Sequence, residues 1–271
     1  MRHRNGVFAA ALLSCAVVSS ACFQSTTVLV VKGDGSGTIE QRTIVLTAAL
    51  AQMRQLAAMS GRSAATIDPL SEDQARALAA SLGQGVSLVS TKPIKTAEGE
   101  GRESTYAFTD VSQLRVSEQP QAPPDIAARS PALSPDAPKV SFSLVHASSG
   151  NAVLHINVPV PSLFASPDGT GGINPSVIDQ LQALKVVLAG AHLVLATEPA
   201  GAIVATNSAW REGPRVTLLE IDLDKLLADP AFVGRVRAAR TADEVKAVLK
   251  DAPGLKVTLE SDIAIEFTPA R

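Results

Sequence analysis

A chain of 271 residues with 24 basic and 26 acidic side chains carries a formal charge of −2 at pH 7, so it has no cationic surplus for nucleic acid, which is not expected as a partner. Aromatic residues make up 3% of it against 46% hydrophobic, which excludes a carbohydrate-binding face of stacked rings and calls for a core of Val, Leu, Ile and Ala. Its two cysteines are Cys15 and Cys22, so the chain beyond them folds by apolar burial without an internal disulfide.

Arg2 and Arg4 give a short basic start, Val7 to Val18 is an apolar stretch interrupted by Ser14, and Ser19, Ser20 and Ala21 are small. This is the three-part layout of a cleaved secretory signal over residues 1–21. The apolar stretch falls short of the about 20 residues that a membrane-spanning helix needs. Without Arg2 and Arg4, 22 basic residues face the 26 acidic ones, a charge of −4. Val18-Ser19-Ser20-Ala21-Cys22 resembles the bacterial lipobox, in which the cysteine thiol takes a thioether-linked diacylglycerol before cleavage. It departs from that pattern at Ser19, where Leu is usual. Leu12-Leu13-Ser14-Cys15 fits those positions better but leaves a very short apolar region, so Cys15 and a plain secretory signal stand as alternatives to lipid attachment at Cys22. Each buried methylene contributes about 0.8 kcal/mol and one chain anchors only marginally, so the two or three chains of a lipoprotein would hold the protein stably on a membrane. In Gram-negative lipoproteins a residue other than Asp after the cysteine implies the outer membrane. Phe23 therefore implies an outer-membrane protein facing the periplasm.

Thr26 to Lys32 and Thr38 to Leu46 are β-branched runs around Gly33-Asp34-Gly35-Ser36-Gly37 and predict an opening hairpin. Ala49, Leu50, Met53, Leu56 and Ala57 then recur at helical spacing. A second helix follows Pro69, with Ser71 and Gln74 as a capping box and Gly83 as a left-handed stop. Val86 to Ile94 and Arg102 to Phe108 predict a strand pair around the polar connection Thr96 to Gly101. Gln119 to Pro138 holds six prolines and reads as an extended or disordered connection between residues 22–118 and 139–271, the two parts of one α+β domain. Val140 to Leu144 and Leu154 to Val158 alternate around a Ser148-Ser149-Gly150 turn, a third hairpin.

Asn174 and Pro175 suit the start of a short helix ending near Leu184. Val186 to Ala196, Ala202 to Thr206 and Arg215 to Ile221 read as strands, and helices follow over Asp222 to Ala228, Pro230 to Ala239 and from the Thr241/Glu244 capping box. Val257 to Leu259 and Ile263 to Phe267 close the chain as strands. Hairpins with helices in blocks predict an α+β fold on antiparallel sheet, after a cleaved signal peptide.

No catalytic, cofactor-binding or metal-ligating set emerges from these residues. Asp34 to Glu40 imitates the middle of a calcium loop, but Lys32 and Thr43 stand where its terminal carboxylates belong, so a glycine-rich hairpin turn is the expectation. The expected register of the third hairpin pairs Ser143 with His155 and His146 with Ala152, which puts the two histidines on opposite faces and bars a shared metal. Gly169, Gly171 and Gly172 lack the Lys-Ser/Thr of a phosphate loop. Glu98, Glu100 and Glu103 read as a solvated loop tip with ordinary pKa values. Trp210, the one tryptophan, lies in a polar connection where it could touch a membrane interface or a partner or pack over its own hairpin.

Thr26-Thr27-Val28, Asp34 to Thr38 and Tyr106 to Asp110 resemble, together with the leader cysteine, segments of a loose group of uncharacterised bacterial lipoproteins, and Glu198 to Val204 with the Asn207-Ser208 turn resembles a segment of LppM-like lipoproteins. The resemblance implies a cell-envelope protein of α+β architecture and brings no catalytic motif. The expectation is a lipid-anchored envelope protein with a non-enzymatic binding or assembly role, partnered by the membrane and by an envelope protein. A carrier or sensor of an apolar ligand is the alternative, and a hydrolase without a recognisable motif is third.

Overall fold

The computed structural model describes residues 23–59, 70–117, 139–159, 182, 185, 189–239, 241–258 and 262–270. The Pro-rich connection 119–138, the helix expected after Asn174, the glycines 169–172, and Cys15 and Cys22 lie outside them. The opening hairpin forms from β1 (Phe23–Val31) and β2 (Gly37–Leu46), followed by helices α1 (Thr47–Met59) and α2 (Glu72–Leu82). Strands β3 (Ser87–Lys95) and β4 (Gly99–Phe108) come next, then a 3-10 turn at Val111–Gln113 and β5 (Arg115–Val116). The second part holds β6 (Val140–His146), β7 (Ala152–Asn157), β8 (His192–Pro199), β9 (Gly201–Thr206), β10 (Arg211–Glu212) and β11 (Arg215–Asp222). Helices α3 (Leu223–Ala228), α4 (Pro230–Ala238) and α5 (Ala242–Lys250) then precede β12 (Leu255–Val257) and β13 (Asp262–Pro269).

The helix boundaries follow from local chemistry. Ser71 Oγ accepts from Gln74 N and Gln74 Oε1 accepts from Ser71 N at the head of α2, and Thr241 and Glu244 reciprocate in the same way at α5. Asp222 caps α3, and Asp229 caps α4, where Pro230 takes the first position. Gly83 departs from the expected left-handed stop. It lies at φ 146°, ψ 171° because the chain leaves α2 extended to bridge with Leu114, where a Cβ would stand 2.3 Å from Gln113 O.

Two sheets carry the chain. The eight-stranded one runs β10-β11-β8-β1-β2-β4-β3, with β12 also on β11, and the five-stranded one runs β5-β6-β7-β13-β9. Each draws strands from both sides of the Pro-rich connection. The architecture is α+β, but an all-antiparallel sheet is not what forms: β1 pairs with β8 in parallel, Gln24 beside His192 through Val31 beside Pro199. A hairpin can supply only antiparallel neighbours, and this contact joins segments far apart in the chain.

Period-2 alternation gives each sheet an apolar face. Leu29, Ile39, Tyr106 and Leu88 form one cross-strand row in the larger sheet. Phe142, Ile156 and Ile263 form another in the smaller one, beside Leu144, Leu154 and Ile265. These rows share one continuous core with Leu226, Phe232 and Val236 of the helices. Each fully buried Leu, Ile or Phe contributes about 1.5–3 kcal/mol. A second, smaller cluster joins Val45 to Ala49 and Leu50 of α1, with Met53 and Leu70 against it. The sheets are stitched at Ala200, whose N–H donates to Val31 O (2.7 Å) in the larger sheet and whose carbonyl accepts from Ala270 N (2.9 Å) next to the smaller.

Candidate functional site

Phe23 opens β1 already in the ladder, opposite Val45, and Gln24 is flanked on both sides by Ile44 of β2 and His192 of β8. Cys22 is the residue directly before Phe23 in the chain. Around this end of the sheet the chain turns are tied down. Gln24 Nε2 donates to Gly190 O (3.4 Å), Gly190 N donates to Asp224 Oδ2 (2.9 Å), and Thr47 gives both N–H and O–H to Glu98 O (2.9 Å each).

Trp210 is half-buried. Its indole N–H donates to Val257 O (3.1 Å), its backbone N–H donates to Ser208 Oγ (3.2 Å), and its carbonyl accepts from Thr217 N (2.9 Å). The ring therefore lies against β12 with its polar edge satisfied.

The third hairpin has the register its alternation implies, Ser143 opposite His155 and His146 opposite Ala152. His146 Nε2 meets Gly33 O (2.7 Å), His155 Nδ1 meets Asp262 Oδ2 (3.3 Å) and His192 Nε2 meets Glu220 Oε1 (3.3 Å). Each histidine thus has its own partner at a separate place. Among the described residues no three His, Cys, Asp or Glu side chains converge as a metal site.

Glu100 and Glu103 are not on a loop tip, and their pKa values are not ordinary. β4 begins at Gly99, because Gly99 and Gly101 allow close approach to β2: a Cβ on either would stand 2.0 Å from Val45 O or Thr43 O. Glu100 pairs with Arg54 (2.9 Å) and Lys95 (3.3 Å), and Glu103 with Lys92 (2.8 Å) and Arg42 (3.2 Å). Hydrogen bonds from Lys95 to Glu100 and from Lys92 to Glu103, with the neighbouring arginine charges, hold both carboxyls below the usual range.

The calcium-like segment is a hairpin turn. Asp34 Oδ1 accepts from Ser36 Oγ (2.7 Å) and Ser36 N (2.9 Å), bonds that lower its pKa, and Gly35 takes φ 84°.

Two groupings were not singled out from the sequence. On the face of β4 that bears Tyr106, the row towards Cys22 turns polar: Ser104 Oγ meets Thr91 Oγ1 (2.9 Å), and Arg102 reaches Thr91 Oγ1 (3.2 Å) and Leu70 O. The Tyr106 hydroxyl is buried beside them without a hydrogen-bond partner. Burial raises its pKa, against the pull of Ser104 and Arg102. The alternation of Arg102, Ser104, Tyr106 and Phe108 on one face was the available signal. On the opposite face of the sheet, Lys256 bridges Glu212 (2.9 Å) and Glu220 (3.1 Å), and hydrogen bonds to them raise its pKa. This group joins β10, β11 and β12, so no local motif announces it.

No helix among the described residues is long and apolar enough to cross a membrane. No protein-family model matches the chain, and no curated protein matches it. Among solved structures, the folded domain of LppM from Mycobacterium tuberculosis aligns with 93% of this chain and 96% of its own, at 10% identity and a TM-score of 0.32. That is a distant structural resemblance to a lipoprotein domain, and it assigns neither family nor activity.

Proposed function

We propose that this protein is a lipid-anchored component of the bacterial cell envelope, attached through Cys22, whose α+β domain acts by binding or assembly. The observation that carries the reading is the placement of a lipobox-like cysteine directly before the first strand of a domain that has no other cysteine. Phe23 in the sorting position supports the outer membrane, facing the periplasm, as its destination in a Gram-negative cell. Trp210, at the surface beside β10, is the residue proposed to contact a protein partner. Labelling cells with a radioactive fatty acid tests the anchor: Cys22→Ala should abolish incorporation, and persistent labelling would move the site to Cys15 or to another residue.

The Tyr106 hydroxyl favours a second reading, a carrier of an apolar ligand with a polar head. Its unpaired O–H and the polar row of Ser104, Thr91 and Arg102 lie between the two apolar clusters. Native mass spectrometry of protein purified from membranes tests it: a bound lipid-sized mass that Tyr106→Phe weakens supports the carrier, and ligand-free protein counts against it.

A further inference from the structure

We infer that the bilayer is the partner of one particular end of the eight-stranded sheet, the end at Phe23. Among the described residues this end carries the start of α1 at Thr47, the turns at Ala97-Glu98 and Gly190, and the start of α3 at Asp224. The inference rests on the lipid-anchor reading of Cys22 and adds to it an orientation that an anchor alone does not impose.

Slack decides the orientation. A lipid on a flexible tether lets a domain tumble above the membrane. Here no tether exists between Cys22 and the fold, because Phe23 is paired with Val45 and Gln24 is paired on both sides. Freeing the first three residues of β1 would strip hydrogen bonds from two ladders and uncover Ser25, which is buried. The diacylglycerol holds Cys22 at the headgroup level, so the rows beside Phe23 are held there too.

The anchor is also central. β1 is fourth of the seven strands on the sheet path, so at about 4.8 Å per strand the sheet extends about 14 Å to either side of it. Tilting far enough to lift one flank would drive the other into the headgroups. In the other direction, β1 runs eight residue steps from Phe23 to Val31, about 26 Å at about 3.3 Å each. The Gly33–Gly37 turn lies at that far end. The Ala147–Gly150 turn lies there with it, since His146 reaches Gly33 O at 2.7 Å. Among the described residues of the anchored end Lys95 is paired with Glu100 and Lys225 with Asp222, so these charges do not drive the docking. It should persist on uncharged lipid and at high salt.

The lipidated Cys22 thiol is blocked, so a single introduced cysteine labels uniquely. The test places a fluorophore on Ala97→Cys or Ser148→Cys in full-length lipidated protein, in phosphatidylcholine vesicles carrying a headgroup nitroxide. The expected result is quenching several-fold stronger at Ala97 than at Ser148, unchanged by salt and lost when ten Gly/Ser residues are inserted between Cys22 and Phe23. Equal quenching without the insert overturns the orientation while leaving the anchor intact. A contrast that survives the insert overturns the missing tether as the cause of the orientation, because docking would then belong to the surface itself. Absence of lipid from the purified protein defeats the anchor reading itself, and the orientation with it.

Discussion

Glu100 and Glu103, three residues apart on β4, stand on opposite faces of the sheet, so their carboxyls belong to separate ion-pair groups. Glu100→Gln and Glu103→Gln should therefore cost stability additively, and urea titration of the double variant should give the sum of the single losses. Both losses will be small, as exposed pairs are. Both folded pKa values are depressed, so this contribution is present above the unfolded carboxyl pKa and is lost as pH falls through the folded one. Each Gln variant should flatten the acid limb of a plot of melting temperature against pH. A non-additive double variant would place the two acids in one network.

Asp222 ends β11 and caps α3 through Lys225 N (3.1 Å), while its other oxygen pairs with Lys225 Nζ (2.8 Å). Burial raises its pKa, but the bonds from Lys225 outweigh that and leave it lowered. Asp222→Ala should cost about 1 kcal/mol by chemical denaturation, and Asp222→Asn, which still caps, distinctly less. Equal losses would assign the effect to the ion pair.

Phe267 is fully buried opposite Ala152 in the smaller sheet. Phe267→Ala should destabilise the domain by about 3–5 kcal/mol. Because both sheets share one core, unfolding should stay a single transition, with tryptophan fluorescence from Trp210 in the larger sheet and circular dichroism coinciding. Separate transitions would mean that the sheets unfold independently.

Tyr106→Phe removes a buried hydroxyl that has no partner. In ligand-free protein the change should be neutral or stabilising by up to about 1 kcal/mol, since no hydrogen bond is lost. A clear fall in melting temperature would show that the hydroxyl is satisfied in solution.

What the sequence discloses here is whatever neighbouring residues decide. The hairpin around Asp34, the one around Ser148 and the capping boxes at Ser71 and Thr241 rest on contacts a few residues apart, and they form where composition puts them. Alternation says which face a residue takes, so His146 and His155 separate as expected. It does not say which strand lies alongside, so the pairing of Gln24 with His192 was out of reach. Gly99 and Gly101 misled because glycine serves turns and close strand approach alike, and only the partner β2 distinguishes the uses. The Tyr106 hydroxyl and the Lys256 bridge depend on strand order and were hidden for the same reason. Cys22 is the converse case: its motif is local, whereas the strand that follows it is held by two partner strands, one of them late in the chain.

That late strand bears on how the protein is made. Thr197 Oγ1 donates to Leu29 O, a contact between residues 168 apart. A chain that emerges amino end first delivers β1 and β2 long before β8, so β1 waits with one edge unsatisfied. Closing so distant a pair is slow, and an open edge invites pairing with another chain. A molecule lipidated before its last third has crossed would spend that interval as a half-built sheet at the bilayer surface. The ladder that pairs β1 on both sides in the finished protein leaves it with an open edge in the unfinished one until His192 to Pro199 arrive.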